Sequence, residues 1–215
     1  MRVNGEARSS GRITRDGEDM NQAIHDYLST IREALLFVDS KALEAVTDRL
    51  FEAYRLGHTV FTMGNGASAS LASQMAFDLS KGTAPDLGKG PQAHADRRLR
   101  IRSLSDNSAL LTGYGDDIAY DDVFIEQLKS QLQPNDVVIG LSSSGGSPNV
   151  LRALEYARMN GATTIGFTGT QPSALQMRER VDILVQAPLA RAEQVEDLHV
   201  IFHHIVAIDL QSRLA

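Results

Sequence analysis

The sequence predicts an α/β fold built on a parallel sheet, and three observations predict it. The first is the stretch VVIGLSSSGGSPNVLRALEYARMNGATTIG, Val137 to Gly166. It reads as an apolar strand (Val137 to Leu141), a Ser/Gly loop, a helix opened by Pro148, and a second apolar run from Ala162 to Phe167. Connections this short suit a right-handed parallel crossover. The second observation is the same order of elements at His58 to Leu79, where a strand, a glycine turn and a helix follow one another. The third is that strand-like and helix-like runs alternate along the rest of the chain.

The elements follow in order. Residues 1 to about 17 lack periodicity and are expected to form a loose tail, leaving 18–215 as one domain. From about Met20 to Val38, Ile24, Leu28, Ile31, Leu35 and Leu36 recur at helical spacing. Asp39 and Ser40 break and recap the chain. A second helix, Lys41 to Leu56, carries Leu43, Val46, Leu50 and Tyr54 on one face, and Gly57 ends it. Two amphipathic helices before the first strand exceed what one small sheet needs. Their spare apolar surface points either to an oligomer or to a cover for the sheet.

His58 to Met63 is the first strand, Gly64, Asn65 and Gly66 make a tight turn, and Ser68 stands at the start of a helix from Ala69 to Leu79. Leu99 to Leu104 alternates as a strand and ends in Asp106, Asn107 and Ser108, which offer caps or ligand contacts. Tyr120 to Leu132 has a helical face through Val123, Phe124 and Leu128, and Pro134, Asn135 and Asp136 turn the chain into the strand at Val137. After Phe167 come a strand-end loop at Thr168 to Thr170, a short helix from Pro172 to Arg180, a strand from Val181 to Val185 and a last helix from about Gln194 to Leu214.

Composition narrows the function classes. A formal net charge of −6 argues against nonspecific binding to nucleic acid or anionic membranes. Cysteine is absent, which removes disulfides, thiolate catalysis and cysteine metal sites, and suits a reducing cytosol. No apolar run reaches membrane-spanning length, and the polar N-terminal stretch lacks a signal-peptide core.

The chemistry-bearing residues gather at strand ends. Ser142, Ser143, Ser144 and Ser147 surround Gly145 and Gly146 where a strand feeds a helix, a natural seat for an anion. The turn GNGASA, Gly64 to Ala69, lacks both the GxGxxG spacing and the GK[ST] ending, so it is neither a dinucleotide fingerprint nor a P-loop. Gln74 and Asp78 are four apart and share a helix face. Lys81, Lys89, Arg97 and Arg98 lie in or beside a basic loop. They can meet a phosphate or merely be solvated, and His94 in the same loop has no special duty. On the last helix Glu196, His199 and His203 fall roughly on one side, with His204 about 100° further round. Histidines and carboxylates in this grouping can shuttle protons or hold a borderline metal, or simply be packed.

MGNGASASLASQMAFDL, SLSDNSAL and GLSSSGGSPNVLRALEYARMNGATTIGFTG together resemble the sugar-isomerase (SIS) domain family, and within it the phosphoheptose isomerases. The likeness spans about residues 20 to 212. It implies a doubly wound, flavodoxin-like α/β fold with a parallel five-stranded sheet and extra N-terminal helices. It also implies a homotetramer with sites between subunits, and isomerisation of sedoheptulose 7-phosphate. By that resemblance the phosphosugar is held by Asn65, Gly66, Ser68, Asp106, Asn107, Ser142, Ser143, Ser144 and Ser147, with Asn107 in place of the family's threonine. Asp78 is the implied base and His204 the acid/base partner. An unperturbed aspartate is a weak base at neutral pH, and Glu196 is the carboxylate that could raise it.

The resemblance further implies a divalent metal, zinc by the family pattern, at Gln74, Asp78, Glu196 and His204. The family places histidine, glutamate and glutamine at the first three, so three of the four positions are altered. Their oxygens suit a harder ion as well. Glu196 and His204 are eight residues apart, about 12 Å of rise in one straight helix, so either Glu196 precedes the helix or a second subunit completes the site. The alternative function is a non-catalytic phosphosugar-binding member of the family, including the replication-initiator-associating type.

Overall fold

The computed structural model describes residues 13–83 and 98–214, with side chains from residue 21. Lys89, His94, Arg97 and most of the expected N-terminal tail lie outside the described residues. Helix α1 (Ile13–Ala34) runs into a 3-10 turn, Leu35–Phe37, and forms a unit of its own with that turn. Ile24, Leu28, Leu36 and Phe37 are exposed on it, the spare apolar surface that the sequence predicts.

The second unit begins with α2 (Ser40–Leu56), and its ends form as the sequence dictates. Asp39 takes an extended backbone and its Oδ1 accepts from the amides of Lys41 and Ala42 at 3.0 and 3.2 Å. Gly57 closes the helix in the left-handed region at φ 80°, donating to the Ala53 carbonyl at 2.9 Å.

Five strands follow: β1 (Thr59–Gly64), β2 (Arg100–Ser103), β3 (Val137–Leu141), β4 (Thr163–Thr168) and β5 (Ile183–Gln186). All pairings are parallel, in the order β2-β1-β3-β4-β5. The helices are α3 (Ala67–Gly82), α4 (Ser108–Asp117), α5 (Val123–Lys129), α6 (Pro148–Met159), α7 (Ala174–Arg178) and α8 (Ala192–Leu214).

The pleat sends alternate side chains of β1 to opposite layers. Thr62 faces α3, its hydroxyl donating to the Ala72 carbonyl at 2.8 Å. Phe61 and Met63 face the other way, into a cluster with Val123, Phe124, Val150 and Leu154. Helices therefore cover both faces, and β3 is buried along its whole length, which is why it reads as an uninterrupted apolar run. Asp136, which the sequence placed in the turn before β3, is buried. It accepts from the Thr59 amide at 2.8 Å and the Gln133 amide at 2.9 Å, tying that turn to the start of β1.

Three details differ from the sequence reading. The first helix begins at Ile13, within the stretch expected as tail, rather than at about Met20. Ser108–Asp117 forms α4, although Gly113 and Gly115 weaken its helical signal. The expected helix from Tyr120 starts as a 3-10 turn, Tyr120–Asp122, before α5.

His199 belongs to this core. It is fully buried, with its ring edge-on to Phe167 at 5.7 Å and its Nε2 3.3 Å from the Thr168 carbonyl. Its Nδ1 has no hydrogen-bond partner. Burial disfavours the charged ring and pushes its pKa down to about 4.

Two expected outcomes follow. A Cβ on Gly140 would lie 2.8 Å from Val150 Cγ1 and 2.9 Å from Leu154 Cδ1, so Gly140→Ala should lower stability by about 1–3 kcal/mol in urea unfolding. Val150→Ala in the same chain should recover part of that loss, whereas simple additivity would mean that this contact does not set the spacing of α6 on β3. The depressed pKa of His199 makes the unfolded chain bind the extra proton. Stability should therefore fall as pH drops from 6.5 toward 4, by about 3 kcal/mol in total from this group. His199→Gln keeps a donor for Thr168 without the titration and should flatten that part of the pH–stability curve.

Candidate active site

The chain enters the sheet at β1, sets β2 on one side of it, then crosses to place β3 on the other. This reversal opens a crevice beyond the carboxyl ends of β1 and β3, where parallel α/β sheets bind their ligands. Gly64 pairs with Leu141 at that end, so the two turns singled out in the sequence are neighbours. Side chains then join them. Asn65 and Asn149 exchange amide hydrogen bonds of 2.8 and 2.9 Å, and the Tyr120 hydroxyl donates to Asn65 Oδ1 at 3.0 Å. Asn65 thus acts through its side chain as a strut between the turns. Asn149 and Tyr120 were not among the sequence candidates. The only trace of Asn149 in the sequence is its place in the first turn of α6, directly after Pro148.

The serine loop curls around its own hydroxyls. Ser142 Oγ lies 2.9 Å from Ser147 Oγ and 3.4 Å from Ser144 Oγ. Gly145 donates to Ser142 Oγ at 3.1 Å and Gly146 to Ser144 Oγ at 3.3 Å. Gly145 is left-handed at φ 68°, and a Cβ there would sit 2.6 Å from both Ala174 Cα and Thr168 Oγ1, so glycine is required. Ser143 contributes its carbonyl, which accepts from the Gly169 amide at 3.0 Å. Three hydroxyls converging at the start of α6 can turn their protons toward one anion.

The remaining predicted contacts divide. Ser68 is buried in the first turn of α3, and Gly66 takes a positive φ of 55° before it. Asp106 hydrogen-bonds Ser73 on α3. Asn107 spends its side-chain oxygen capping α4, accepting from the Leu110 amide at 3.1 Å. Of the basic candidates, Lys81 lines a cavity with Asp78, His204, Ile208 and Gln211.

A second group forms where α3 packs on α8. Asp78 Oδ2 is 3.1 Å from His203 Nε2 and 3.4 Å from His204 Nε2, and the Gln74 amide nitrogen is 3.2 Å from the same His204 nitrogen. Gln74, Asp78 and His204 are therefore together, as the sequence predicts. Glu196 is not with them. It lies in α8 proper, two turns from His204. Burial raises its pKa, and Glu193 and Asp197 add to the effect. The neighbours of Asp78 are two imidazoles rather than the expected carboxylate. His203 is fully buried, and burial lowers its pKa against the opposing pull of its bond to Asp78. A carboxylate with two imidazoles, their donor atoms all within 4.8 Å, suits in kind a borderline divalent ion.

Comparison with known proteins places this geometry. The SIS domain model matches residues 22–169. Phosphoheptose isomerase from Mycobacterium bovis is 33% identical over 174 residues, covering 81% of this chain and 83% of its own length. Phosphoheptose isomerase from Pelobacter propionicus is 35% identical over 158 residues, covering 74% and 78%. Among solved structures, the phosphoheptose isomerases of Neisseria gonorrhoeae and Francisella tularensis share the fold, with TM-scores of 0.77 and 0.78 at 21% and 18% identity. They cover 91% and 92% of this chain, and 98% of each of theirs. The chain belongs to the SIS domain family, among its phosphoheptose isomerase relatives.

Proposed function

We propose that this protein is an aldose–ketose isomerase of phosphorylated sugars, acting on sedoheptulose 7-phosphate. One observation carries the reading. A carboxylate, Asp78, and a half-exposed imidazole, His204, meet at 3.4 Å on packed helices, in a chain whose relatives are phosphoheptose isomerases. Moving a proton between adjacent carbons needs such an acid–base pair.

In this reading the phosphate sits among Ser68, Ser142, Ser144 and Ser147, with the Gly66 turn and Ser143 shaping the seat and Asp106 and Asn107 beside the sugar. Asp78 takes a proton from C1 of the ketose. The C–H electron pair becomes the enediol double bond, and the C2 oxygen takes a proton from His204. Return of a proton to C2 and loss of the C1 hydroxyl proton give the aldehyde. A divalent ion, zinc by the resemblance, belongs to the proposal. Gln74, Asp78 and His204 would hold it, and when bound it polarises the sugar carbonyl.

A homotetramer in the cytoplasm completes the proposal. Ser68 and Asp78 are ten residues apart on α3, about 15 Å along the axis, which favours a site shared between copies. Phe77, Ile205 and Ile208 are exposed apolar residues on the same two helices, beside Asp78 and His204. The absence of cysteine suits a reducing compartment.

Incubation with sedoheptulose 7-phosphate, with and without added metal, should yield an aldose phosphate. Asp78→Asn should lower kcat by about 10²–10⁴-fold, and Ser144→Ala should chiefly raise KM. Tight phosphosugar binding without turnover under any metal condition would replace the isomerase reading with a non-catalytic binder.

A further inference from the structure

We infer that Ser173, at the start of α7, is a positioning residue for the phosphate seat: its hydroxyl fixes the peptide plane between Ser144 and Gly145, and so sets where the serine hydroxyls stand. The inference rests on the reading that the serine loop holds the phosphate, and adds to it a residue from outside the loop.

An N-cap serine that does not cap is the first support. Ser173 occupies the N-cap position of α7, where a serine side chain ordinarily accepts from an amide of the first turn. No such bond forms here. The hydroxyl instead donates to the Ser144 carbonyl, 29 residues upstream, at 2.7 Å. A hydroxyl has one proton to give, so this one is committed to the serine loop.

The second support is how closely the two segments approach. A Cβ on Gly146 would lie 2.8 Å from Ser173 Cβ, and one on Gly145 would lie 2.6 Å from Ala174 Cα. Both glycines of the loop therefore face the start of α7, and their lack of a side chain is what lets α7 reach the loop. That helix is itself seated in the core. Ala174 and Met177 are buried, and Met177 lies so close to Gly166 of β4 that a Cβ there would stand 2.7 Å from its Sδ. The donor thus comes from a fixed support.

Anion chemistry is the third support. Amide and hydroxyl protons attract an anion and carbonyl oxygens repel it, so a phosphate seat must keep its acceptors engaged elsewhere. The Ser143 carbonyl accepts from the Gly169 amide at 3.0 Å, and the Ser144 carbonyl accepts from Ser173. Both donors come from the segment that joins β4 to α7. Glycine adopts either sign of φ, so the backbone of Gly145 does not by itself stop the plane before it from turning over. Its amide donates to the Ser142 carbonyl at 3.0 Å and to Ser142 Oγ at 3.1 Å, but these partners belong to the same loop. Ser142 Oγ is moreover a group that a phosphate engages. The bond from Ser173 is a hold for which the anion does not compete. Once it is lost, a turned plane presents the Ser144 carbonyl to the phosphate.

Binding of inorganic phosphate to the full-length protein, measured by calorimetry beside kinetics with sedoheptulose 7-phosphate, tests the assignment. Ser173→Ala should weaken phosphate binding by about 3–10-fold and raise KM by a similar factor, with kcat within about twofold of wild type. Ser173→Thr, which keeps the hydroxyl, should restore both. In ligand-free Ser173→Ala the Gly145 amide should exchange its hydrogen about 3–10-fold faster, while the amides of β3 keep their wild-type rates. Unchanged phosphate affinity in Ser173→Ala, where Ser144→Ala lowers it, would overturn the inference and leave the seat standing. So would a fall in kcat with KM unmoved, or exchange that quickens across the whole sheet. Failure of phosphate to bind the wild-type protein, or equal binding by Ser144→Ala, would overturn the seat and the inference together.

Discussion

The parallel pairing of β1 with β3, while β2 takes the other edge of β1, is the constraint on which the rest depends. A parallel sheet brings all strand ends of one polarity to one rim, and a reversal of strand order leaves a gap between the helices that leave that rim. In this chain the gap falls between Gly64 and Leu141. The two polar turns lie on either side of it. The glycine turn and the serine loop occupy the two strand ends, and the paired amides of Asn65 and Asn149 hold them at fixed separation. Two hydrogen bonds exchanged between the same pair of side chains restrict both torsionally, so the hydroxyls of Ser142, Ser144 and Ser147 are presented from a braced loop. Preorganisation of that kind lowers the entropy lost when an anion binds.

The fold was legible because burial writes itself into the sequence. β3 and β4 are buried along most of their length, β3 reads as an unbroken apolar run, and α2 announces its ends through Asp39 and Gly57. The serine loop was legible for the same reason, since hydroxyls and glycines at a strand–helix junction have few other uses. What escaped notice was local weakness or distant partnership. α4 carries two glycines in ten residues, so tertiary packing rather than propensity makes it a helix. Asn149 and Tyr120 gain their roles only from a residue 84 or 55 positions away. Spacing along one chain segment does not encode such a contact.

The terminal helix shows the same division. Helical spacing puts His199 and His203 on one side and His204 on another, which is correct as far as burial goes. It does not reveal that α3 crosses this helix with Asp78 placed between the two faces, where both His203 and His204 can reach it. Nor could similarity of pattern alone assign Glu196. Alignment by motif puts it at a ligand position, but it stands eight positions from His204 along unbroken helix within one chain.

Three histidines within six positions therefore have three different environments. His199 sees the Phe167 ring and a carbonyl, and is kept neutral as part of the core. His204 is partly exposed and meets solvent while touching Asp78. His203 lies between these extremes, buried like the first and tied to the carboxylate like the second. A buried imidazole carries a desolvation cost that a leucine would not, and a helix packed on α3 needs no such group for its stability. What Asp78 gives His203 is a hydrogen-bond partner: its Oδ2 lies 3.1 Å from Nε2, so the buried imidazole keeps a polar neighbour inside the helix pair.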